Sequence, residues 1–241
     1  MTDAGESRRT RRASEPIKRY MLGDQIKDYL LAQILEGDLF PGDRIVETRV
    51  ARDLGISQGP VREALRDLAT LGLVTLQPYR GARVRQRTLD EHVEGLRVRG
   101  ELEVMAAREA TGKLTADQIT HLRCLTKEMA ERAAASDPHG HALKNTEFHA
   151  VIARASENRT LERVLAILHP FAQTYLTVTV GGIKSPESYA QRHDAIIEAL
   201  VTGDPLLVDE AMRAHNDANV AIIEASRAQK PHMPDRAPDA A

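Results

Sequence analysis

Between Val46 and Leu68 two short apolar stripes meet at a glycine, and this pairing constrains the fold more than any other stretch of the chain. Val46, Val50 and Leu54 recur at i, i+4 spacing, which predicts a brief helix ending at Gly55. Ser57 then offers an N-cap, and Pro60 falls in a first helical turn, where its missing N–H has no intrahelical partner to lose. The stripe of the next helix is Val61, Ala64, Leu65 and Leu68, so Gln58, Arg62 and Arg66 lie on the opposite, solvent side. Upstream, Ile26, Leu30 and Ile34 predict a helix from Leu22 to Leu35, with Gly37 able to take a left-handed cap. Beyond Gly72, residues 73–76 and 82–85 are β-prone runs around Gln77-Pro78-Tyr79-Arg80-Gly81, which predicts a hairpin with a basic tip.

From Leu89 the pattern turns to long helices, with expected spans 89–112, 115–135, 138–157, 159–179, 186–203 and 205–228. An aromatic share of 3% and the lack of Trp also oppose a sheet-rich core. The expectation is a mainly α chain of two domains: residues 18–88 form three helices with a β-hairpin wing, and residues 89–228 form a six-helix bundle. Residues 1–17, with Arg8, Arg9, Arg11 and Arg12, read as a flexible basic arm, and 229–241 as a disordered tail. Met105 and Met129 are expected in the core. Residues 1–88 hold 16 Lys/Arg against 12 Asp/Glu, and 89–241 hold 17 against 23, so the front is basic and the back acidic. A single cysteine, Cys124, and no apolar stretch long enough for a signal or a span imply a cytoplasmic protein with no membrane partner.

Two short helices around a tight turn, the second showing Gln and Arg near its start, suit double-stranded DNA, whose major groove admits one helix. Arg62 can fork onto guanine or clamp a phosphate, Gln58 can reach adenine, and Gly59 lets the backbone come close; Arg66 extends this edge. Thr48 and Arg80 are candidate phosphate contacts. The competing reading is that these are ordinary solvated residues.

The run GDRIVETRVARDLGISQGPVREALRDLATLGLV, followed by YRGARV, resembles the N-terminal domain of the GntR family of bacterial regulators. The resemblance implies a winged helix-turn-helix with operator contacts from Thr48, Gln58, Arg62 and Arg80-Gly81. Members often carry Arg and Thr where this chain has Gln58 and Gly59. Residues 89–228 resemble the FCD effector-binding domain of the FadR-like subfamily, through Arg99-Gly100-Glu101-Leu102-Glu103, Asn145-Thr146-Glu147-Phe148-His149, His193 with Ile196-Ile197, and Ala211 with His215. In that family these stretches line one pocket.

Asn145 and His149 share a helix face at i, i+4, and single histidines on two later helices, His193 and His215, could complete a metal site. Imidazole suits zinc or nickel, and three neutral rings leave coordination positions open for a carboxylate effector, with Arg99 as the cation for its other end. Metal-lined FCD pockets usually carry Asp where Asn145 stands. The remaining histidines, 92, 121, 139, 141, 169 and 232, are expected to be ordinary polar residues. The function expected is a homodimeric repressor, not an enzyme, whose operator binding responds to a small organic acid. Alternatives are a helical domain that senses an acyl thioester without metal or serves dimerisation alone, and a metal-dependent hydrolase; against the last, no HExxH, GxSxG or phosphate-binding loop is present.

Overall fold

The computed structural model of the chain describes residues 15–36, 38–78, 80–179 and 186–229. They fall into two compact units, the described residues up to 34 with 39–85 forming one, and 35–38 with the described residues from 86 onward forming the other.

The first unit runs α1 (Glu15–Glu36), β1 (Arg44–Ile45), α2 (Glu47–Asp53), α3 (Gln58–Thr70), β2 (Val74–Gln77) and β3 (Gly81–Val84). Its core joins Ile26, Leu30 and Ile34 of α1, Val61, Leu65 and Leu68 of α3, and Val74 and Val84 of the sheet, all buried. The hairpin pairs antiparallel with Val74 opposite Val84 and Gln77 opposite Gly81. Two expectations change here. The first helix begins at Glu15, so residues 15–17 of the expected arm are helical; Pro16 is compatible with a first turn, which explains how the helix extends so far. Residues 1–14 lie outside the described residues, as does most of the expected tail. The sheet also gains a third strand, β1, which pairs with β3 to give the order β1-β3-β2. Gly81 permits that pairing: its φ is +84°, and a Cβ there would collide with the Ile45 carbonyl oxygen. Ser57 occupies the N-cap position of α3, but its side chain makes no capping hydrogen bond.

The second unit is α4 (Leu89–Ala110), α5 (Ala116–Ala134), α6 (Pro138–Ala155), α7 (Arg159–Thr179), α8 (Pro186–Thr202) and α9 (Pro205–Gln229). Local chemistry explains where the first three start. Thr88 with Glu91 and Thr115 with Gln118 form reciprocal capping boxes, and Asp137 caps α6 through the Gly140 N–H with Pro138 in the first turn. Thr115→Ala is expected to lower stability by about 1 kcal/mol, read as a lower urea midpoint at unchanged slope; an unmoved midpoint would show the cap to be dispensable. α6 is the central helix, packed against α4, α5 and α7, while α8 and α9 close the bundle on α5 and α4. The main core gathers Val104, Leu122, Leu125, Met129, Phe148, Ile152, Ile196, Ile197 and Met212. Met105 departs from its expected core place and is 45% exposed, because it faces away from the stripe Val104–Ala107 that enters the bundle. At Gly100 the side chain of Asn216 approaches so closely that a Cβ would be crowded, and Asn216 Nδ2 donates to the Gly100 carbonyl at 3.1 Å. This brings α9 against α4, with Arg99 and Glu103 on one and His215 on the other facing the interior.

Candidate functional site

In the first unit the expected reading edge is solvent-facing. Gln58, Gly59, Arg62 and Arg66 of α3 are exposed, as are Thr48 of α2 and Arg80 at the wing, while Gly81 is half-buried in the sheet. Arg62 is not simply solvated. Its Nε and Nη2 both donate to Glu47 Oε2, at 3.0 and 2.8 Å, so a residue of α2 aims the guanidinium. Nothing in the sequence pattern singled out Glu47.

In the second unit a polar cluster sits inside an otherwise apolar bundle. His149 from α6, His193 from α8 and His215 from α9 are each at most 3% exposed, and each offers a ring nitrogen within 4.8 Å of the other two. The ring centroids are 4.5 Å apart for His193 and His215 and 5.2 Å for His149 and His215. Asn145, one turn before His149, places Oδ1 at 2.9 Å from His193 Nε2, and Asn219, one turn after His215, places Nδ2 at 3.0 Å from His215 Nε2. The first separation is also one that two ligands of a single ion can adopt.

Arg99 and Glu103 lie beside this group as a buried ion pair, Nε to Oε1, at 3.1 Å. Glu103 Oε1 is 3.4 Å from His149 Nδ1 and 3.6 Å from His169 Nε2. His169, expected to be an unremarkable polar residue, is therefore buried against the same carboxylate. Burial alone would raise the Glu103 pKa, but Arg99, His149 and His169 hold it down to about 2. Burial lowers His149 to about 4 against the opposing pull of Glu103, and burial with the two neighbouring rings pushes His215 well below its ordinary value. The rings of His149 and His215 are thus neutral, the form that ligates metal. With Nδ1 of His149 turned to Glu103, its buried Nε2 has no hydrogen-bond partner, and a buried nitrogen in that state is costly unless something occupies its lone pair. Three imidazoles and one carboxamide fit a zinc or nickel ion. Elsewhere His141 Nδ1 contacts the Met129 carbonyl at 3.0 Å and His121 faces Glu147 at 3.3 Å, both ordinary roles; His232 lies outside the described residues.

Glu103 was within reach of the sequence, because Arg99 and Glu103 stand at i, i+4 on one helix. Asn219 stands at the same spacing from His215. His169 carried no such signal, since its partner comes from another helix.

The FCD domain matches residues 94–218, more than half of the chain, and the bacterial regulatory proteins of the gntR family match residues 22–84. The chain is a GntR-family DNA-binding transcription regulator with an FCD domain, in the FadR-like subfamily. A probable D-xylose utilization operon transcriptional repressor of Paenarthrobacter nicotinovorans is 34% identical over 202 residues, covering 84% of this GntR regulator and 88% of that protein. Among solved structures, Escherichia coli McbR/YncC superposes with a TM-score of 0.75 at 24% identity, covering 86% of this chain and 98% of the other. A GntR regulator from Rhodococcus sp. RHA1 gives 0.72 at 22%, covering 84% and 97%. The GntR family is regulatory rather than enzymatic, which removes the hydrolase alternative. No described helix of this regulator is long and apolar enough to cross a membrane.

Proposed function

We propose that this GntR regulator is a homodimeric repressor whose hold on operator DNA is altered by a small organic acid bound at a divalent metal in the FCD domain. One observation carries the metal: three buried histidines from three helices converge, and His149 Nε2 is without a partner. His149, His193 and His215 would hold zinc or nickel, with the Asn145 carbonyl oxygen as a fourth ligand. When bound, the ion would polarise and anchor a carboxylate at an open position. Arg99, whose ion pair with Glu103 runs through Nε, is the proposed donor to the far end of the acid. At the other unit Thr48, Gln58, Gly59, Arg62, Arg66, Arg80 and Gly81 are the proposed operator contacts. Repression is favoured by the repressor named among its relatives. The dimer is supported by apolar side chains left exposed on neighbouring α4 and α7: Val98, Met105, Val164 and Ile167. Control then requires only that the acid bind the DNA-competent and DNA-incompetent arrangements unequally.

Metal analysis of the purified dimer is the test. Wild type equilibrated with zinc and acetate and then freed of unbound ion is expected to retain about one zinc ion per chain, the occupancy expected of one such four-donor site, and His149→Ala with His193→Ala to retain none. A protein without metal, melting identically with and without added ion, would overturn the metal and favour a domain that only dimerises.

A further inference from the structure

We infer that the histidine site takes its metal and an anion as one unit: the protein alone holds a divalent ion weakly, and a carboxylate from outside must complete the site, because among the described residues no carboxylate joins the ligand group. The inference rests on the metal reading above and adds to it the order of dependence between the two ligands.

The charges around the site decide the matter. The ligand group contains three imidazoles, and among the described residues no Asp or Glu oxygen joins it. Position 145 offers a neutral carboxamide. The carboxylate of Glu103 lies against His149 Nδ1, and its charge is matched by Arg99 at 3.1 Å. Arg99 and Arg192 both lend positive potential to His215. A dication entering here brings its full charge among ligand side chains that are all buried, and an uncompensated buried charge is strongly disfavoured. A carboxylate on the ion removes half of that charge at ligand distance, where the low dielectric makes the attraction strong. By reciprocity, the ion must favour the carboxylate by the same factor that the carboxylate favours the ion. An uncharged sugar offers hydroxyls but no compensating charge, so it cannot serve in place of an acid. Asn145 sets this dependence, because a carboxylate at that position would supply from within what the site otherwise takes from its effector.

The experiment titrates the full metal-free chain with zinc against a chromogenic chelator in nitrate buffer, alone, with acetate, and with D-xylose as the uncharged control. For wild type, acetate is expected to tighten zinc binding about tenfold or more, and D-xylose to leave it unchanged. Asn145→Asp is expected to bind zinc about tenfold or more tighter without acetate, with the acetate effect reduced to about twofold or less. Zinc binding by wild type that is indifferent to acetate, or equally improved by D-xylose, overturns the coupling and leaves the metal site standing. An Asn145→Asp protein as dependent on acetate as wild type also overturns it. If wild type takes up no zinc in any buffer, both this inference and the metal reading fall. The wild-type comparison needs no variant, so the outcome stands even if Asn145→Asp fails to fold.

Discussion

Arg62→Ala is expected to remove discrimination between the operator and an unrelated duplex, at a loss of about 1–3 kcal/mol for a side chain that pairs with a base. The expectation is sharper than exposure alone allows, because Arg62 is held: Glu47 Oε2 accepts from both Nε and Nη2, at 3.0 and 2.8 Å. A guanidinium fixed on one edge presents its remaining N–H groups in a definite direction and loses less freedom when it meets a base. Glu47→Ala should therefore relax sequence preference while leaving binding to unrelated DNA no weaker, since a negative charge has been removed from the DNA-facing side. Binding of a selected operator and a scrambled duplex across a range of salt checks both variants. If Arg62→Ala weakens the two duplexes equally and merely lowers the salt slope by about one, Arg62 is a phosphate contact and its place as a reader is wrong.

What the sequence made legible follows the range of each interaction. The buried stripe Val61, Ala64, Leu65 and Leu68 and the exposed edge Gln58, Arg62 and Arg66 come out as the 3.6-residue period requires, because burial on a helix is set by local spacing. The six helices behind them appear within a few residues of their expected ends, and the starts of the first three are set by Thr88, Thr115 and Asp137, whose side chains bond three residues ahead. β1 was not legible: two residues carry no period, and Arg44 and Ile45 are a strand only because β3 lies beside them. The histidine group divides in the same way. Asn145 and His149 share a helix face by arithmetic, but the meeting of His149 with His193 and His215 is a product of packing between helices, visible in the sequence only through family likeness. His169 belongs to the same polar cluster for that reason, whereas the Arg99–Glu103 pair, at i, i+4 on one helix, is a contact that spacing alone makes available.

Glu103→Ala carries the largest expected loss of stability, about 3–5 kcal/mol, because it leaves the Arg99 guanidinium buried without its partner. The cost is that of an orphaned charge rather than of a lost attraction. The double variant Arg99→Met, Glu103→Leu removes both charges, and should recover most of the loss in denaturant unfolding. Acid should act through the same cluster in two stages. His149, lowered to about 4 from an ordinary 6.5, must stay uncharged in the fold, so the unfolded chain binds more protons and stability of the metal-free protein falls as pH drops from 6.5 toward 4. Glu103, lowered to about 2 from 4.5, contributes stability that is complete above pH 4.5 and lost as pH falls toward 2. In Glu103→Ala the second stage should vanish. The first should still begin near pH 6.5 but extend to lower pH, because without the carboxylate that raises it His149 falls further, which widens the window in which its ring is neutral and able to ligate. Unfolding curves for the metal-free wild type that are flat between pH 6.5 and 4 would show that the fold does not hold His149 neutral below its ordinary pKa, and the first stage would be wrong.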